Sequence, residues 1–245
     1  MSVNNPIVNA RTRYVNGLAL AYGSATTFTM AAGAASNSTN VDDIILSAPV
    51  TNTINSVGAN GVDIAVAVLS SFYAVYVIGD STGYQPTASL LSLSSTAPRL
   101  PFGYDMFRRV GYILTNGSAQ VLKFYQYGAD SDRVMYYDVG ISELSGGSSA
   151  TFAAIDLATS VPPIKCEVIL NLLFTPDGAT EIAEFLPFGS AASAGIVTFG
   201  CGVAAAQSGN VTVPNALDSG VPKILYKVAS GDTLTVLTVG YTDSL

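Results

Sequence analysis

Short runs rich in Val, Ile, Tyr, Phe and Thr recur along this 245-residue chain, separated by dipeptides containing Gly, Asn, Asp and Pro. β-Branched and aromatic residues suit a pleated, half-buried backbone, and such punctuation leaves little room for helices of ordinary length. The pattern predicts an all-β fold, two β-sandwich or jelly-roll-like domains with at most one short helix. The best helical stretch, GATEIAEFL at 178–186, is long enough for about two turns and ends before Pro187. The apolar stretch 64–78 is broken by Ser70 and Ser71. It falls short of the roughly 20 residues needed to cross a bilayer and reads as strand, so no membrane insertion is expected.

Two local patterns predict hairpins. In RRVGYILTNGSAQVLKFYQYG, Asn116-Gly117 fits a two-residue type I′ turn. Thr115 would then pair with Ser118, Ile113 with Gln120, Tyr112 with Val121, Val110 with Lys123 and Arg109 with Phe124. One face carries Val110, Tyr112, Leu114, Val121 and Tyr125, the other Ile113, Leu122 and Phe124. With both faces apolar, the hairpin is expected either at an oligomer interface, formed by the first set, or in the middle of a sandwich. A second hairpin is expected from 223–228 and 233–241, flanking Ala229-Ser230-Gly231-Asp232. Between them, the polar turn at 128–133 is the expected boundary between an N-terminal β domain, 1–128, and a C-terminal one, 129–245. Each half has an ordinary domain size of roughly 115–130 residues. The Ser/Gly-rich stretch at 145–149 reads as a loop within the second half.

Composition narrows function. Histidine is absent and there are 2 cysteines, which excludes Ser-His-Asp and Cys-His catalysis, histidine acid/base chemistry and any zinc site made of four Cys or His ligands. Charged residues make up 11%, against about 25% in an average soluble domain. The surface must therefore be covered by Ser, Thr, Asn, Gly and Ala, or by other subunits. The 10 Lys and Arg residues are scattered and the net charge is −7, so no basic stripe exists for nucleic acid. The N-terminal segment has Arg11 and Arg13 but no apolar stretch of about 7–15 residues behind them, and no export signal is read. Cys166 lies in an apolar run and Cys201 between glycines, as expected of buried thiols in a reducing compartment; a disulfide between them is the alternative.

Other motifs point to little chemistry. Gly79-Asp80-Ser81-Thr82-Gly83 matches the surroundings of a nucleophilic serine, but without a histidine it reads as a glycine-bounded turn after the strand 72–78. Asp42/Asp43, Asp130/Asp132 and Glu181/Glu184 are carboxylate pairs of the kind glycosidases need, and they read as carboxylates that are simply solvated. Asp130 and Asp132 fall short of the roughly 6–8 oxygens that Ca²⁺ takes. Neither metal nor cofactor is expected, and the chain is not expected to be an enzyme. The most informative segment is APRLPFGYDMFRRV at 97–110. Pro98 and Pro101 hold it extended, and Gly103 permits a tight turn before aromatic and basic residues arrive together. Tyr84, Phe102, Tyr104 and Phe107 are candidates for stacking on sugar rings, or else for plugging the end of a sandwich.

From Phe72 onward, FYAVYVI, then ASLL, then SSTAPRLPFGY, FRRVG and TNGS follow one another. This order resembles a module of tailed-bacteriophage and prophage virion proteins that runs WYxVYLI, LFSLSATAPTLPxGYxxFRRIG and TDGSxN. The resemblance covers roughly residues 9–128, with a weaker likeness across the C-terminal half. Phe72 stands where the module tends to have Trp, and Asn116 where Asp is common.

The resemblance implies a non-enzymatic structural protein of the virion, assembled in the host cytoplasm. The expectation is a short tail fibre or adhesin that contacts a host surface glycan, with other virion proteins as partners. By analogy with phage fibres it is expected to be a homotrimer. The alternative is a capsid decoration protein, a cement or head fibre stabilising the head, favoured by the shortness of the chain and by its lack of a coiled-coil or repetitive β shaft.

Overall fold

The computed structural model describes residues 14–65, 68–178, 181–191, 195–202 and 204–245. These form twenty strands and no helix, the all-β class that the run pattern predicts. Arg11 and Arg13 lie outside the described residues. The chain divides into two compact units, one of residues 1–122, 128–133 and 245, the other of residues 123–127 and 134–244.

The first unit is built from ten strands, β1 (Val15–Gly17), β2 (Leu20–Ser24), β3 (Thr27–Met30), β4 (Gly33–Ser36), β5 (Asp43–Leu46), β6 (Val50–Thr53), β7 (Gly61–Val62), β8 (Phe72–Gly79), β9 (Ala88–Ser92) and β10 (Met106–Leu114). They pair as β1-β4-β5, β2-β3-β6 and β10-β8-β9-β7. The pairings are antiparallel except that of β7 with β9. In β8 every residue from Tyr73 to Ile78 is buried. A strand flanked on both edges and covered on both faces needs apolar residues at consecutive rather than alternate positions, which accounts for its unbroken FYAVYVI sequence.

The second unit holds β11 (Phe124–Ala129), β12 (Asp132–Gly147), β13 (Ala153–Asp156), β14 (Glu167–Thr175), β15 (Ile182–Pro187), β16 (Val197–Gly200), β17 (Gln207–Pro214), β18 (Ala216–Asp218), β19 (Val221–Lys227) and β20 (Thr233–Ser244). One sheet runs β11-β12-β20-β14-β17; the other runs β13-β19-β15-β16, with β18 also on β19. Val168, Leu170, Leu172 and Phe174 of β14 and Leu234 and Val236 of β20 share one core with Ile224 and Tyr226 of β19 and Phe185 of β15. Two sheets closing on one core make a β-sandwich, and each fully buried large side chain contributes about 1.5–3 kcal/mol.

Several local expectations are corrected. Residues 145–147, expected as part of a loop, are the end of strand β12. The expected helix at 178–186 is instead strand β15 from Ile182, paired with β16 and β19; residues 179 and 180 lie outside the described residues. Ala183 and Phe185 point inward while Ile182 and Glu184 do not, so the period-2 pattern and two flanking ladders outweigh a weak helical periodicity.

The type I′ hairpin does not form. Thr115 bridges Val121 rather than Ser118, the amide of Leu122 donates to the Leu114 carbonyl at 2.8 Å, and the left-handed residue is Ala119, φ 54°. Asn116 Oδ1 accepts the amides of Ser118 (2.9 Å) and Gln120 (3.0 Å), so its side chain organises a longer loop in place of a two-residue turn. Beyond this loop the strands part. β10 pairs with β8, Tyr112 opposite Ala74 and Ile113 opposite Tyr73, while β11 belongs to a sheet of the second unit. The 223–228 and 233–241 strands exist as β19 and β20, but lie in different sheets of the sandwich and do not form a hairpin.

The expected oligomer face changes accordingly. Val110, Tyr112, Leu114 and Val121 are buried within the chain's own first unit, because β10 is covered by its own fold, and they offer nothing to another subunit. Tyr125 is exposed and its hydroxyl bonds Asp138 Oδ1 at 2.8 Å.

Candidate functional site

Two loops of the first unit, 80–86 between β8 and β9 and 93–105 between β9 and β10, are tied to one another. The Asp80 carboxylate accepts the Thr82 hydroxyl (2.6 Å) and the amides of Thr82 (2.8 Å) and Gln85 (2.8 Å). The Gly83 amide closes the turn on the Asp80 carbonyl at 3.1 Å. These bonds, the Thr82 hydroxyl foremost, hold the Asp80 carboxyl below its ordinary pKa. Between the loops, Asp105 accepts the Ser81 amide at 2.8 Å and also the Ser81 hydroxyl. The Asp105 amide donates to the Gly79 carbonyl (3.1 Å) and the Tyr104 hydroxyl to the Pro86 carbonyl (2.9 Å). Gly103 has φ 87°, and a Cβ there would meet the Gln85 side chain at 2.9 Å; glycine allows both the turn and the close approach.

The joined loops display aromatic side chains without support from their own core. Phe102 is 100% exposed and Tyr84 88% exposed. Tyr104 is half-buried through its bond to Pro86. Phe107 lies on β10 and packs edge-on against Tyr76, centroids 5.8 Å apart. Of the four sugar-stacking candidates, two are therefore presented to solvent, Tyr104 ties the two loops together and Phe107 packs on strand β8. Arg108 is structural as well, its Nε donating to the Ser36 carbonyl at 2.7 Å and its Nη2 to the Asn37 carbonyl. The Arg109 guanidinium lies over the Tyr112 ring at 4.8 Å.

Beside Phe102 is a half-open hollow of about 390 Å³, whose wall includes Val57, Ile64, Leu100 and Pro101 and whose polar groups are Asp63 and Arg99. Asp63 follows β7 directly, its amide fixed on the Leu91 carbonyl at 2.8 Å, and its Oδ2 accepts the Arg99 amide at 3.0 Å. Sequence reasoning found Phe102 but neither Asp63 nor Arg99. These are 36 positions apart in the chain and meet because β7 runs parallel to β9.

The other motifs are in structural surroundings. Ser81 sits in the Asp80 turn, and Glu184 is ion-paired with Lys227. Asp130 lies in the β11–β12 turn with φ 57°. Among the described residues, no group of three or more His, Cys, Asp or Glu side chains is placed to hold a metal ion. Cys166 and Cys201 are separate thiols, and burial pushes the Cys166 thiol up to about 12.

No family model matches the chain, and no curated protein matches it. Among solved structures, a Cry1Da tryptic core variant of Bacillus thuringiensis aligns with 93% of this chain and 51% of its own length, at 7% identity and a TM-score of 0.26. CapF with the inhibitor 3-isopropenyl-tropolone aligns with 62% of this chain and 35% of its own, at 11% identity and a TM-score of 0.15. This chain thus spans about half of the first of these, and superpositions this loose carry no argument about function.

Proposed function

We propose that this protein is a non-enzymatic structural component of a tailed-bacteriophage virion, a short tail fibre or adhesin whose joined loops contact the host surface. The observation that supports this reading is the cross-bonded rim that holds Phe102 fully exposed and Tyr84 nearly so. A large apolar ring standing in water gives up hydration free energy that contact with a partner recovers, and a rim already ordered loses little entropy on binding. The residue order from Phe72 to Ser118, similar to the phage module, supports the virion assignment. In this reading the protein works as a homotrimer among other virion proteins, and the trimer contact draws on apolar residues that remain exposed near the β4–β5 hairpin, Val41 and Ile45.

Immunogold electron microscopy of intact particles, with antibody raised against the recombinant protein, is the direct test. Gold confined to the tail supports the adhesin; gold distributed over the head overturns it in favour of capsid decoration. Recombinant protein carrying Tyr84→Ala with Phe102→Ala should keep its thermal melt and lose binding to host cells. Wild-type binding by that double variant would remove the rim from the host contact.

A further inference from the structure

We propose that the hollow beside Phe102 is a pocket for a single uncharged pyranose ring, a specificity that rests on the host-contact reading of the same rim. Its volume, about 390 Å³, falls within the range of small-ligand pockets. Val57, Ile64 and Phe102 border it, exposed by 59%, 57% and 100%, so three apolar side chains around one concavity lack cover from their own fold. Opposite in character are Asp63 and Arg99. The Asp63 Oδ1 atom and the Arg99 guanidinium have no hydrogen-bond partner among the described residues, while the backbone of both is fixed through the Arg99 amide bond to Asp63 Oδ2.

That combination selects a chemistry. An anionic ligand meets the Asp63 carboxylate and a cationic one meets Arg99, whereas sugar hydroxyls both donate and accept, serving a carboxylate and a guanidinium that line one hollow. The C–H face of a pyranose is apolar enough to lie on Phe102 and the aliphatic wall while its hydroxyls turn toward Asp63 and Arg99. The wall is also built from costly backbone. Ala65, which lines it, takes φ 60°, and left-handed conformations at non-glycine residues gather where a site's shape is held by the surrounding structure.

Saturation-transfer NMR on the full chain, with a panel of neutral hexoses, one hexuronic acid and one hexosamine, tests this directly. At least one neutral hexose should show transfer, and its affinity should fall at least tenfold in Arg99→Gln and in Phe102→Ala, both exposed positions where a matched thermal melt verifies folding. Asp63→Asn keeps an acceptor for the Arg99 amide and should weaken the same sugar. Absence of transfer from every neutral hexose, unchanged affinity in the variants, or preference for the uronic acid or the hexosamine each overturns the proposal. Host-cell binding separates the two readings. Wild-type protein that binds cells but is not competed by any neutral hexose sinks the pocket and leaves the adhesin standing; protein that takes the sugar but ignores host cells keeps the pocket and sinks the adhesin.

Discussion

Nη1 of Arg133 donates to the Val110 carbonyl at 2.8 Å, joining a residue of the polar turn at 128–133 to a buried strand of the first unit. The same guanidinium reaches the carbonyls of Leu18 (3.0 Å) and Gly17 (2.6 Å), its Nε bonds the Asp130 carbonyl (2.9 Å), and the side chain is buried. The geometry has a cause. Gly17 and Leu18 are left-handed and β10 is irregular between Arg109 and Gly111, so these carbonyls fall out of register with any ladder and need another donor.

Arg133→Met should therefore cost about 3 kcal/mol or more, since it strands several buried carbonyls at about 1–3 kcal/mol each. Arg133→Lys should be nearly as damaging, because an ammonium cannot reproduce the planar fork. Urea denaturation of both variants measures this; a loss under about 1 kcal/mol would mean that water replaces the guanidinium.

Asn52 predicts the opposite sign. It is fully buried on β6, and neither amide atom has a hydrogen-bond partner among the described residues. Replacing an unsatisfied buried amide by an apolar side chain of similar size removes a desolvation penalty. Asn52→Leu should raise stability by about 1 kcal/mol in the same urea assay, and destabilisation would show that the amide is satisfied in solution.

Glu143 carries a pH dependence. Burial raises its carboxyl pKa, partly offset by hydrogen bonds that include the Thr159 hydroxyl at 3.0 Å. A carboxyl with a raised folded pKa makes the protein less stable as pH climbs through that value, and the penalty vanishes below the unfolded value of about 4.3. Glu143→Gln should accordingly raise Tm at pH 8 and leave it unchanged near pH 4. A gain of equal size at both pH values would exclude titration of Glu143 as its source.

Asp80 has the reverse sign. Its pKa is depressed in the folded loop, so its stabilising bonds are complete above the unfolded value of about 3.9 and are lost as pH falls through the lower folded one. The amide resonances of Thr82 and Gln85 should titrate with a midpoint below about 3.9, and Asp80→Asn should abolish that transition. A midpoint at or above the ordinary value would mean that the loop is not held by this carboxylate.

The sequence by itself determined the all-β class and the position of β8. β-Branched and aromatic density is a local property, and an uninterrupted apolar run such as FYAVYVI marks a strand covered on both faces wherever its partners lie. The extended segment and turn around Phe102 were legible too, since Pro98, Pro101 and Gly103 constrain their own backbone whatever surrounds them, but whether Phe102 stands in water or plugs a sandwich was decided by the tertiary structure. Strand pairing was decided by the tertiary structure. Asn116-Gly117 and Ser230-Gly231 permit tight hairpins but do not compel them, and β10 and β19 each found a better ladder far away in sequence, Tyr112 against Ala74 and Phe185 against Tyr226. The Asp63–Arg99 pair and the Arg133 clamp belong to the same class. Their partners are carbonyls, amides and carboxylates whose proximity exists after the sheets have assembled, and a linear pattern of residue types carries no record of it.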